Sequence, residues 1–264
     1  MIRLLLLWVL ALWVWAAPNF VEEAALVSGL QDSLQPGRLI ALQSGGRSFT
    51  AIWDEVRSAQ PAGCAIVLPE AGARADSAAL EGLRTVLPAH GWSVLSLQLP
   101  VLEAEAGEAE YLSLLPEARR RTEAAVAYLQ SRGIENPVLV GHGFGALVAL
   151  AYVRGGGKSI GALVLMSPWF GRGEMTAWLG GLRIPVLDIH GERDRPEVLA
   201  ATAERHRLLK KLPAFRQWRI SGAGHDYRGR ETLLGKRIYG WLKSATALPP
   251  GERRREDPVG GDVR

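Results

Sequence analysis

A single cysteine, Cys64, stands in a chain of 264 residues. That excludes an internal disulfide and a cysteine-based metal cage. Cys64 falls inside an apolar run, so the expectation is a buried, structural thiol. Charge of one sign is also scarce, because 31 basic and 27 acidic side chains leave a formal net charge of +4. The excess is spread along the chain, a mild bias toward anionic surfaces and not the dense basic footprint of a nucleic-acid binder. Long hydrophobic runs are missing too. The longest, Leu4 to Ala17, has 14 residues, short of the ~20 that span a bilayer as a helix. No internal repeats are visible.

What is there begins with that run. Arg3, the apolar stretch and the small residues Ala16 and Ala17 have the layout of a secretory signal peptide over residues 1–17. Cleavage is expected after Ala16, because Pro18 directly after the cut is unfavourable. No cysteine follows, which excludes a lipoprotein anchor. The expectation is export to a periplasm with no stable membrane span after cleavage; an uncleaved N-terminal anchor is the alternative. Residues 18–37 carry one amphipathic helix (19–35), stopped by Pro36-Gly37. Residues 249–264 mix Pro, Gly, Arg and acids with almost nothing apolar, the composition of a disordered tail.

Between these ends, residues 38–248 read as one α/β domain. Arg38 to Leu42 and Arg47 to Trp53, joined across Gly45-Gly46, predict an edge hairpin. Strands are then expected at 64–69, 92–99, 138–140, 160–166, 184–189 and 215–220. Helices are expected at 80–89, 119–132, 144–153, 196–212 and 231–248. This alternation implies a mostly parallel sheet with helices on both faces. The acidic stretch 101–117 reads as a solvated loop, and the glycine-rich 171–182 as a small lid.

The chemistry concentrates on Gly141-His142-Gly143-Phe144-Gly145, a sharp turn between a buried strand and an apolar helix. Strand, glycine turn and helix are the context of the Gly-x-Ser-x-Gly nucleophile elbow of α/β-hydrolases. Gly143 stands where the serine would be, so the elbow has no oxygen nucleophile. In that fold an acid and a histidine follow in chain order. Asp194, after Ile189-His190-Gly191-Glu192-Arg193, matches the acid position, and His225, in Gly222-Ala223-Gly224-His225-Asp226, matches the base position. Taken alone, Asp194 could be a helix N-cap, with Glu197 completing a capping box, and His225 a polar turn residue. Both falling in register with an elbow favours a remnant acid and base.

The oxyanion hole is expected from the amide of Phe144 and from the loop Glu70-Ala71-Gly72-Ala73. If Glu70 points inward, its carboxylate opposes the charge that must develop there. His142 is read first as a packing and hydrogen-bonding residue. With Trp169 and Trp178 it is also a candidate pocket residue. No metal site is expected, since His142, His190 and His225 lack helical His-x-x-x-His spacing. No cofactor is expected either. Gly141-x-Gly143-x-x-Ala146 satisfies a dinucleotide fingerprint, but the next strand ends Leu165-Met166-Ser167-Pro168 without the ribose-binding acid.

Several segments carry a resemblance: Leu80-Glu81-Gly82-Leu83-Arg84, the run His90-Gly91-Trp92-Ser93-Val94-Leu95-Ser96-Leu97-Gln98-Leu99-Pro100, and the Gly-His-Gly-x-Gly elbow. They resemble a bacterial exported family of unknown function (domain of unknown function 3530) within the α/β-hydrolase superfamily. The resemblance implies the fold, a signal peptide and a serine-less elbow, and brings no established activity. Two functional expectations remain. The chain is a pseudo-hydrolase that binds an unknown small molecule or protein partner, or a weak ester or thioester hydrolase in which His225, oriented by Asp194, activates water.

Overall fold

The computed structural model describes residues 17–31, 37–157, 160–169 and 175–246. The leader expected over 1–17 (apart from Ala17), the tail over 249–264 and lid residues 171–174 lie outside the described residues. Eight strands form one sheet in the order β1-β2-β4-β3-β5-β6-β7-β8. The antiparallel hairpin of β1 (Arg38–Ser44) and β2 (Arg47–Asp54) makes one edge, turning through Gly45-Gly46. β2 runs antiparallel to β4 (Trp92–Leu97). β3 (Gly63–Leu68), β5 (Val138–His142), β6 (Ala162–Met166), β7 (Val186–Arg193) and β8 (Arg216–Gly224) continue the sheet in parallel.

The apolar runs become central strands because both faces are covered. In β3, Cys64, Ile66 and Leu68 join one core, which also holds residues of α3 (Leu115–Gln130) and α4 (Phe144–Arg154). Ala65 and Val67 join the other, beneath α2 (Ala78–Ala89) and α8 (Glu231–Ala245). Cys64 is fully buried, and burial pushes its thiol far up, as expected of a packing residue. Among the described residues no helix is long and apolar enough to cross a membrane.

Several boundaries differ from the pattern-based expectation. The 101–117 stretch is not a solvated loop. Val101, Leu102, Tyr111 and Leu114 are buried, Glu108–Leu114 forms a 3-10 helix, and α3 starts at Leu115. The acidic residues hid four apolar anchors. The described part of the expected lid carries a short helix, α5 (Met175–Leu179), and the expected helix 196–212 is two shorter ones, α6 (Pro196–Ala200) and α7 (Thr202–Leu209). β7 extends four residues beyond Ile189, with a register irregularity between Gly191 and Arg193 against β8. The N-terminal helix, α1, covers Phe20–Gln31, and 32–35 of its expected span lie outside the described residues. It is held by Asn19, whose amide donates to the Val101 carbonyl, and by a buried Arg121–Glu23 pair.

Candidate functional site

Parallel strands deliver their carboxyl ends to one edge of the sheet, the side on which open α/β sheets bind ligands. Here β3 ends at the Glu70 loop, β5 at the elbow, β7 just before Asp194 and β8 at His225. The elbow is tight because Gly141 and Gly145 pack backbone on backbone. A Cβ on Gly145 would overlap the Leu68 carbonyl, and one on Gly141 the backbone of Gly145. Gly143 sits at φ +51°, ψ −111°, a conformation that glycine adopts without strain.

His225 Nδ1 lies 2.7 Å from Asp194 Oδ1, so the expected acid and base do meet. Asp194 is no helix cap. The N-cap of α6 is Arg195, and Asp194 instead accepts from its neighbours' amides, Gly191 at 2.9 Å and Arg195 at 2.9 Å. Ser167 Oγ donates to Asp194 Oδ2 at 2.5 Å and lies 2.7 Å from the Tyr227 hydroxyl, which donates to the Ile189 carbonyl at 3.2 Å. Ser167 and Tyr227 are fully buried and were not singled out from sequence. The only local hint is their placement, one residue after β6 and two after His225.

The element that decides the site is Glu70, whose side chain does turn inward. Its Oε1 accepts the Phe144 amide at 2.7 Å and the Ala71 amide at 2.7 Å, the two donors expected to form the oxyanion hole. Its Oε2 lies 2.9 Å from His225 Nε2. A Cβ built on Gly143 would overlap this carboxylate, so the Glu70 side chain fills the space a nucleophile's side chain would need. Glycine at 143 and glutamate at 70 are two halves of one arrangement.

Electrostatics follow from the geometry. Burial by itself would raise Glu70, but hydrogen bonds from His225, Phe144 and Ala71 and the nearby His142 ring hold its carboxyl below the usual range. Burial would likewise raise Asp194, and its bonds from His225, Ser167 and two amides bring it down to about 2. For His225 burial favours the neutral ring, yet the Asp194 and Glu70 carboxylates outweigh it and raise the imidazolium to about 9. At neutral pH the row is carboxylate, imidazolium, carboxylate.

Of the three pocket candidates, only His142 lies beside this row, its ring centroid 4.8 Å from that of His225. His142 is buried under the elbow with Nε2 3.1 Å from the His225 carbonyl, and burial depresses its ring. Trp169 packs with Leu147 and Val198, while Trp178 lines a separate depression with Arg154 and Ala177. The cavity beside Glu70, about 320 Å³, is walled instead by Leu26 of α1, Val101, Leu102, Tyr111 and Arg195. Glu70, His142 and His225 each offer one ligand atom within 4.8 Å of the others. An ion placed there would have to displace the proton shared by His225 and Glu70.

A model of the family described as "Protein of unknown function (DUF3530)" matches residues 16–121 and 108–244. The chain belongs to the DUF3530 family. No curated protein matches this DUF3530 sequence. Solved structures do match its fold. Est1E from Butyrivibrio proteoclasticus is 14% identical with a TM-score of 0.62, over 78% of this chain and 98% of that one. A dienelactone hydrolase from Anabaena variabilis is 18% identical with a TM-score of 0.64, over 80% and 98%. A serine hydrolase without lid from Xanthomonas campestris is 16% identical with a TM-score of 0.64, over 82% and 98%. At such identities the likeness establishes the α/β-hydrolase fold and nothing finer.

Proposed function

We propose that this DUF3530 protein is an exported pseudo-hydrolase, unable to perform serine acyl transfer, that uses the crevice at the carboxyl edge of its sheet to bind a small molecule or a protein partner. One observation carries this reading. The Glu70 carboxylate takes the room over Gly143 and both candidate oxyanion donors. An acyl oxyanion could enter only by expelling an anion that already has three hydrogen bonds. The alternative, water activation by His225, requires a lone pair on Nε2. That nitrogen is engaged with Glu70, and the ring is an imidazolium at neutral pH.

A fluorophosphonate probe incubated with the purified chain should leave it unlabelled; labelling of a defined serine would refute the reading. Export rests on the Met1 to Ala17 layout. A mature chain beginning at Ala17 supports it, and a mature chain that retains Met1 argues for the anchored alternative.

A further inference from the structure

The carboxylate that excludes acyl transfer is itself built like a nucleophile. Its two oxygens have different surroundings. Oε1 is fixed between the Phe144 and Ala71 amides, and Oε2 faces His225 Nε2 alone. If Oε2 took up an alkyl group, Oε1 would become the carbonyl oxygen of the resulting ester. It would already lie between two donors able to hold the oxyanion formed when water attacks that ester. The His225–Asp194 pair stands beside the same carboxyl group.

Glu70 and Ala71 are also among the residues that line the 320 Å³ cavity, and the Glu70 side chain keeps 12% of its surface exposed. Two donors line the same walls. The Tyr111 hydroxyl oxygen accepts the Leu102 amide at 3.3 Å, and its own proton has no acceptor among the described residues. The Arg195 guanidinium, paired with Glu108, is the other. Val101, Leu102 and Leu26 supply apolar wall for a short carbon chain or ring.

We infer that Glu70 is a carboxylate nucleophile toward saturated carbon, and that this chain hydrolyses a small alkyl electrophile with an anionic leaving group, such as a halide, through an ester on Glu70. The inference rests on the crevice being the ligand site, as proposed above, and replaces passive binding there with a covalent step that needs no serine. In the first step an electron pair on Oε2 forms the bond to carbon, the carbon–halogen bond breaks and halide departs. His225, still held by Asp194 but no longer facing the Glu70 charge, releases its Nε2 proton to solvent. In the second step His225 Nε2 takes a proton from water, and the hydroxide bonds to the Glu70 carbonyl carbon with the charge on Oε1. Collapse breaks the ester bond, and the departing alkoxide takes the proton from His225. The regenerated Glu70 acid returns its own proton to His225. The sum is alkyl halide plus water giving alcohol plus hydrogen halide.

The test uses the full chain with benzyl bromide. Peptide mass spectrometry should find a benzyl ester on Glu70, and benzyl alcohol should accumulate. In heavy-oxygen water under single-turnover conditions, the label should enter the Glu70 carboxylate first, because water attacks the carbonyl carbon. Label appearing directly in the alcohol formed above the protein-free background, or bromide release equal in wild type and Glu70→Gln, would overturn the inference. His225→Gln should trap the ester, slowing its hydrolysis by roughly 10²–10⁴-fold; unchanged turnover would remove the second step. Should Glu70→Gln fail to fold by circular dichroism, Tyr111→Phe takes its place. Loss of one donor should slow alkylation about tenfold, and no change would count against the assignment. Benzyl alcohol seen by ligand-observed NMR to bind in the crevice, without any ester ever forming, would sink this inference and leave the binding reading intact.

Discussion

At the scale of single residues, Gly143 and Glu70 must change together. Gly143→Ser alone should stay silent toward p-nitrophenyl acetate, because its Cβ meets the Glu70 carboxylate. It should also destabilise the fold by about 1–3 kcal/mol, as overpacking does, measurable by urea unfolding. Glu70→Ala/Gly143→Ser frees the space and both amides, and esterase activity should then appear. Esterase activity from the single variant would show that Glu70 swings aside freely. His225 gives a pH prediction with a definite sign. Its folded pKa, about 9, lies above the ordinary 6.5, so its contribution to stability is complete below 6.5 and is lost as pH rises through about 9. Asp194 acts oppositely. Its contribution is present above the ordinary 3.8 and is lost as pH falls through about 2. NMR titration of the His225 ring should show the raised value, and Glu70→Gln should lower it. A ring titrating near 6.5 in the wild type would dismiss the ion pair. Gly143, Asp194 and His225 were legible in the sequence because glycine spacing and strand ends fix backbone positions. The reach of Glu70 was only half legible, since its loop was recognised but its rotamer answers to the facing elbow. Ser167 and Tyr227 carried no pattern, and the aromatic character of Trp169 and Trp178 pointed to a pocket that tertiary packing places elsewhere.

At the scale of elements, a fully buried pair ties the last two strands to α7. Arg205 Nε donates to Asp188 Oδ2 at 2.9 Å, and the Gln217 amide donates to the same oxygen at 2.7 Å. Both partners are wholly inaccessible. Arg205→Ala should therefore cost about 3–5 kcal/mol by stranding a buried carboxylate, while Arg205→Met/Asp188→Leu should recover most of it. Chemical denaturation of the three proteins decides this, and a harmless Arg205→Ala would mean that water reaches Asp188. Strand existence and order of function along the chain were readable from apolar runs and the glycine turn. The break between α6 and α7 was not, since Ala200 and Ala201 are good helix formers. Nor was the 3-10 helix at Glu108–Leu114, whose glutamates masked Tyr111 and Leu114.

At the scale of the whole molecule, protection should follow the layering of the sheet. β3, β5 and β6 lie between both cores, while the β1–β2 hairpin forms an edge. Hydrogen exchange should be slowest in the three central strands and fastest in β1; slow exchange across β1 would point to something covering that edge. The far end of the chain is tied to this same framework. Through Glu22 and Leu26, α1 forms part of the wall around the Glu70 cavity, and the Arg121–Glu23 pair clamps it to α3. That helix is therefore a shared part: whatever draws it away from α3 also takes Glu22 and Leu26 out of the cavity wall.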